Sequence, residues 1–124
     1  MSPTLQTVII PVTDLAAAKQ TYAALLGVEP TVDEPYYVGF DAGSQHLGLD
    51  PNGHRSGLAG PVSYWQVDAI EPALAALVAA GATPHQPVRD VGGGKLIASV
   101  TDPDGNVIGV LQPRPGGQDA ERKY

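Results

Sequence analysis

The sequence predicts an α+β fold: two tandem βαβββ modules whose strands form one cupped mixed sheet, with the helices on its convex side. Three observations predict it. A short β-branched segment, an amphipathic helix and three further strand-like segments occur in the same order twice. Asp14 and Asp68, Gly27 and Gly81, and Pro30 and Pro84 stand at one constant offset. A half of this size would bury little surface alone, so two halves must share the work of folding.

The first module spans residues 4–51. Its opening segment, Gln6–Val12, is rich in β-branched residues and reads as a strand, with Pro11 restricted to an edge or irregular position. Asp14 is placed to cap the helix that follows, because its carboxylate can accept the free amide protons of a first turn. Leu15, Ala18, Tyr22, Leu25 and Leu26 recur at helical spacing and form its expected apolar face, and Gly27 ends it. Strands are expected over Glu29–Asp33, Tyr36–Asp41 and Gln45–Asp50, the last two joined by the turn Asp41-Ala42-Gly43-Ser44. Residues 52–60, rich in Gly, Asn and Ser, read as a linker.

The second module spans residues 61–113. Val62–Val67 reads as a strand, and Asp68 precedes a helix that carries Pro72 in its first turn, where a missing amide proton costs little. Ile70, Leu74, Leu77 and Val78 form its expected apolar face, and Gly81 closes it. Strands follow over Ala82–Val88, Lys95–Thr101 and Asn106–Gln112, separated by Gly92-Gly93-Gly94 and by Asp102-Pro103-Asp104-Gly105-Asn106. The tail from Arg114 to Tyr124 reads as loose chain. The whole of residues 1–113 is expected to be one domain.

Composition bounds the partners. Seven Lys and Arg stand against thirteen Asp and Glu, a formal net charge of −6, and the basic residues are scattered apart from Arg122-Lys123. Such a surface argues against nucleic acid. No apolar run is long enough to span a bilayer, and the first residues carry no secretory pattern. The absence of cysteine excludes disulfides and thiolate chemistry and fits a cytoplasmic protein.

Three stretches, taken with their order and spacing, resemble the vicinal oxygen chelate superfamily of glyoxalases, bleomycin-binding resistance proteins and dioxygenases. They are Val12-Thr13-Asp14-Leu15 running to Tyr22-Ala23-Ala24-Leu25-Leu26-Gly27, Val67-Asp68 running to Ala79-Ala80-Gly81-Ala82, and Thr101-Asp102-Pro103-Asp104-Gly105-Asn106-Val107-Ile108. Together they span nearly everything from Thr7 to Gln112. The resemblance implies a divalent metal held by His, Gln or Glu from four strands, acting as a Lewis acid on a substrate with neighbouring oxygens. Matched by position, those ligands fall here on Thr7, Gly48, Val62 and Gly109, which offer one weak hydroxyl among them. Catalytic sites generally keep three protein ligands, so the expectation is a chain without the family's metal and without a cofactor.

Strand alternation then sets the expected pocket. Residues two apart share a face, so Ile9 and Pro11 go with Thr7, His46 and Asp50 with Gly48, Tyr64 and Gln66 with Val62, and Val107 and Leu111 with Gly109. The candidate ligand-binding residues are thus Thr7, His46, Gly48, Asp50, Tyr64, Gln66, Gly109 and Leu111, a mostly apolar surface with a few polar handles. The plainer reading is that they pack only against one another. His46 with Asp50 offers an acid/base pair, although a histidine that merely lines the surface is the commoner case. Trp65 and Val67 are expected to face the helices. One of Tyr36, Tyr37 and Phe40 is expected to reach the pocket. His46, His54 and His85 are too dispersed to form a metal site.

The functional expectation is a metal-free protein that binds a small organic molecule, aromatic or cationic, in the manner of the antibiotic-sequestering branch. The resemblance implies a homodimer. The competing expectation is a lyase, isomerase or dioxygenase-like enzyme of the same superfamily, using His46 and Asp50 or a relocated metal. A third is an accessory domain without a ligand.

Overall fold

The structure, a computed structural model, describes residues 3–55, 57–58 and 60–114. The expected tail beyond Arg114 lies outside the described residues. Ten elements follow the chain: β1 (Thr4–Pro11), α1 (Leu15–Leu26), β2 (Val32–Glu34), β3 (Tyr37–Ala42), β4 (Gln45–Asp50), β5 (Val62–Gln66), α2 (Ile70–Ala79), β6 (Thr83–Asp90), β7 (Leu96–Thr101) and β8 (Val107–Gln112). This is the α+β class and the twofold βαβββ order that the sequence predicts. The described residues divide into two compact units, 6–62 in one and 3–5 with 63–114 in the other.

In the first unit the strands run β2-β3-β4-β1. β3 is antiparallel to both its neighbours, and β1 is parallel to β4. Pro11 is the last residue of β1, and the ladder continues past it through Val12, whose amide donates to the Asp50 carbonyl at 3.0 Å. Asp14 caps α1 as expected, Oδ1 accepting from the Ala17 amide at 3.0 Å. Gly27 adopts a left-handed φ of 70° at the other end and donates to the Ala23 carbonyl. One sheet face packs on α1. Val38, Phe40 and Leu49 are its fully buried centre, with Leu15, Ala18, Tyr22, Ala23 and Leu26 laid over it. Burying each large side chain there stabilises the fold by roughly 1.5–3 kcal/mol. Leu25 does not belong to that face: it is 73% exposed, and Ala23 takes the contact instead.

The second unit repeats the plan as β5-β8-β7-β6. β5 is parallel to β8, while β8, β7 and β6 are antiparallel in succession. β6 carries register shifts between Pro84 and Gln86 and again before Arg89, where Pro84 and Pro87 lack the amide protons a regular ladder requires. Ile70, Ala98 and Val110 form the helix-side core, with Val67, Leu74, Leu77, Val88 and Leu96 around them. Val78, expected on the apolar face, is 45% exposed. The N-terminus of α2 differs from that of α1. Its cap residue is Ala69, which provides no side-chain bond, and the Ile70 amide donates instead to Gln112 Oε1 at 2.9 Å. No helix among the described residues is long and apolar enough to cross a membrane.

Candidate functional site

The eight candidate residues fall in two groups of four, one in each unit, and in each unit the group lies on the sheet face opposite that unit's own helix.

In the first unit the ladder sets Thr7 beside His46 and Ile9 beside Gly48 on one side. On the other it sets Asp41 opposite His46 and Gly39 opposite Gly48. Thr7, Ile9, His46 and Gly48 are all buried. Of the three aromatic residues at the start of β3, it is Tyr37 that shares this face. Phe40 belongs to the core under α1, and Tyr36 is exposed. The Tyr37 ring runs along its strand and stacks against His46 with centroids 5.9 Å apart. Its hydroxyl reaches the spot where a side chain at position 48 would begin: an ideal Cβ on Gly48 falls on the Tyr37 oxygen.

That placement builds a three-member polar chain. Asp41 Oδ1 lies 3.0 Å from His46 Nδ1, and His46 Nε2 lies 2.7 Å from the Tyr37 hydroxyl. A carboxylate only accepts, so Asp41 favours the tautomer with the proton on Nδ1. Nε2 is then an acceptor to which the phenol donates. The Asp41 carboxylate is partly exposed while the imidazole is fully buried, so the chain runs from solvent to interior. Thr7 Oγ1 is buried in the same face and has no hydrogen-bond partner among the described residues. The pairing of His46 with Asp50 gives way to His46 with Asp41. Asp50 instead accepts from the Asn52 amide at 2.8 Å and fixes the turn after β4.

In the second unit Tyr64 and Ser99 flank Gly109 in register. The Tyr64 ring covers Gly109 as Tyr37 covers Gly48, its Cγ lying 2.7 Å from an ideal Cβ on the glycine. Tyr64 and Leu111 are buried and Gln66 is half-buried. Ser99, which sequence reasoning passed over, is buried there and its hydroxyl lies 2.9 Å from His85 Nδ1. Trp65 and Val67 point to the helix side, as expected.

These residues do not fit the divalent metal that the fold suggests. Thr7 has one neutral oxygen, Val62 is apolar, and at Gly48 and Gly109 a tyrosine occupies the room in which a ligand side chain would start. Among the described residues no group of three or more His, Cys, Asp or Glu comes together.

Of the three aromatic residues left open by the sequence, Tyr37 is the one on this face, and Asp41 is a functional candidate that the sequence reading missed. The turn between β3 and β4 held the signal. With Ala42 paired to Gln45, counting back along the hairpin sets Asp41 against His46.

The model of the Glyoxalase/Bleomycin resistance protein/Dioxygenase superfamily matches residues 4–110. Among curated proteins, none matches the chain. Solved structures share its fold. A glyoxalase/bleomycin resistance protein/dioxygenase superfamily member from Vibrio splendidus 12B01 superposes with a TM-score of 0.68 at 16% identity, over 90% of this chain and 99% of that one. Methylmalonyl-CoA epimerase from Mycobacterium tuberculosis gives 0.64 at 18% identity, over 90% and 88%. The Mn(II)-bound glyoxalase from Novosphingobium aromaticivorans gives 0.68 at 22% identity, over 97% of this chain and 41% of that one. At these identities the likeness is one of fold.

Proposed function

We propose that this protein, which belongs to the glyoxalase/bleomycin resistance protein/dioxygenase superfamily, binds a small organic molecule on the sheet face opposite its helices and does so without a metal. The observation that carries the reading is the Tyr37 hydroxyl standing over Gly48. In this reading a phenol, held by a buried imidazole, stands at the position that the family resemblance matches to a metal ligand. A second observation supports it. Thr7 Oγ1 is a buried hydroxyl with no partner among the described residues, a state that costs about 1–3 kcal/mol and that a polar atom of a bound molecule would relieve. The ligand is therefore a compound with an apolar or aromatic body and at least one hydrogen-bonding oxygen or nitrogen. Thr7 and Tyr37, which share this face in the first unit, give it orientation. The functional unit in this reading is a cytoplasmic homodimer.

The relay Asp41–His46–Tyr37 favours one second reading, an isomerase or lyase that moves a proton without a metal. In it Tyr37 is the group nearest the substrate, and His46 and Asp41 position and polarise it.

Elemental analysis of purified protein after exposure to Zn, Mn, Ni and Fe, followed by a thermal-shift screen of aromatic and cationic compounds, tests both. Sub-stoichiometric metal and a melting temperature raised by a compound agree with the proposal, because a ligand of the native state stabilises it by mass action. About one dialysis-resistant metal per chain would sink it. Turnover of a stabilising compound, lost in Tyr37→Phe, would decide for the enzyme.

A further inference from the structure

We infer that the helix side of the second unit holds a separate binding site for an uncharged apolar molecule, built around Trp65. A cavity of about 470 Å³ lies there between α2 and the sheet. Its lining is Trp65 from β5 and Val67 just after it, Ala73, Ala76 and Leu77 from α2, and Ile108 and Val110 from β8, with Pro3 at one side. The cavity exists because of what α2 presents. Ala73 and Ala76 are short side chains one turn apart on the face toward β5, so the helix leaves a trough where leucines would have closed the gap. Trp65 borders this trough and is 37% exposed. The trough shares Val67, Leu77 and Val110 with the core, and Ile70, Ala98 and Val110 are buried there without Trp65.

The chemistry of the lining selects the occupant. Among the described residues no ionisable side chain lines the cavity, so none of them would neutralise a charge brought out of water there. Among the described residues of the lining the only side-chain polar atom is the Trp65 indole nitrogen, and its proton is already given to Ser63 Oγ at 3.1 Å. What remains of Trp65 toward the cavity is ring surface. The volume is that of a small-molecule site. The occupant is therefore a compact, uncharged aromatic or alicyclic compound, held by burial and ring contact. The site lies on the opposite sheet face from Tyr64 and Gly109, so it is independent of the ligand face proposed above.

Trp65 is the only tryptophan in the chain, so it reports on its own site. The probe is N-phenyl-1-naphthylamine, an uncharged dye whose emission rises in apolar surroundings and which accepts energy from indole. Added to the whole protein, it is expected to bind at one site per chain and quench Trp65 as its own emission rises. Ala76→Phe, at an exposed helix position, fills the trough and is expected to weaken binding roughly tenfold or more. Ala73→Leu is the second filling variant, and far-ultraviolet circular dichroism of both confirms that α2 persists. Tyr37→Phe is expected to leave the dye's affinity unchanged. No saturable binding, or affinity unchanged in both filling variants that remain folded, overturns the inference. So does a concentration-dependent dimer that loses its self-association in Ala76→Phe, because the trough would then seat a second copy of the chain.

Discussion

His46 and Asp41 face each other across the β3–β4 hairpin, Nδ1 to Oδ1 at 3.0 Å, and this pair holds the imidazole so that Nε2 meets the Tyr37 hydroxyl. A buried ring hydrogen-bonded at both nitrogens is fixed in tautomer and in angle. The expected consequence is energetic coupling. Tyr37→Phe is expected to cost about 1 kcal/mol and His46→Leu about 1–3 kcal/mol, because each leaves a buried polar group without this partner. The double variant is expected to cost less than the sum by about 0.5 kcal/mol or more. Urea denaturation of the four proteins measures it, and strict additivity would show that the 2.7 Å contact contributes nothing to stability.

Gly48 is expected to resist every side chain, including the carboxylate that would rebuild a metal ligand. An ideal Cβ there meets the Tyr37 oxygen and lies 2.7 Å from Ile9 Cδ1, so one of these must move. Gly48→Ala is expected to cost about 1–3 kcal/mol through overpacking. Gly48→Glu is expected to lose stability and gain no metal, since Thr7 is a poor donor and Val62 is none. With Tyr37→Ala in the background, the added cost of Gly48→Ala is expected to fall by half or more. Isothermal calorimetry with Zn and Mn checks Gly48→Glu, and denaturation checks Gly48→Ala with and without Tyr37→Ala. Tight stoichiometric metal binding by Gly48→Glu would mean that Tyr37 swings aside readily.

How much of this was legible in the sequence depends on whether the signal is local. Strand and helix positions come from periodicity and turn chemistry within a few residues, and β4 has the bounds that the sequence predicts. The choice between Leu25 and Leu26 as the buried neighbour does not, because adjacent helical residues stand about 100° apart and a sheet decides which one it covers. The family resemblance supplies the face of Thr7, Gly48 and Gly109, and alternation along the strand extends it to His46. Which residue fills the room beside a glycine follows from neither, because it depends on the rotamers of Tyr37 and Tyr64, set by neighbours on other strands. The partner of His46 lay between these cases: pairing along the hairpin identifies Asp41, whereas spacing along one strand suggested Asp50.

The Asp102 turn sets an expected pH response. Asn106 holds the Asp102 carboxylate through its side-chain amide at 3.0 Å and its backbone amide at 2.9 Å, and the Asp104 amide adds a further bond at 2.9 Å. These donors favour the charged form, with Asn106 the largest influence, and lower the Asp102 pKa below the ordinary aspartate value. A carboxyl that is more acidic folded than unfolded adds stability above its unfolded pKa and loses it as the pH falls through the folded one. Carboxyl carbon NMR is expected to show Asp102 titrating below an ordinary aspartate. Asp102→Asn is expected to flatten the acid limb of the stability curve. An ordinary titration midpoint would remove the turn's charge-assisted bonds from the account.

The two helices are expected to fail differently when their caps are removed, although they occupy matching places in the repeat. Asp14 is a local cap, three residues from the amide it serves. Gln112 is a remote one: it sits at the end of β8 and reaches the Ile70 amide 42 residues back along the chain. Asp14→Ala is expected to cost about 1 kcal/mol, with the loss confined to α1. Gln112→Leu is expected to cost a similar amount in global stability, about 1 kcal/mol, for the lost bond to a part-buried amide. It also unties α2 from the strand it starts against, so amide exchange is expected to quicken at Ile70 and along the first turn of α2, and in β8 as well. Hydrogen exchange by mass spectrometry on both variants separates the two patterns. Exchange in Gln112→Leu that quickens nowhere in α2 would mean that Ala69 and its neighbours satisfy the helix end without Gln112, and that the bond is incidental.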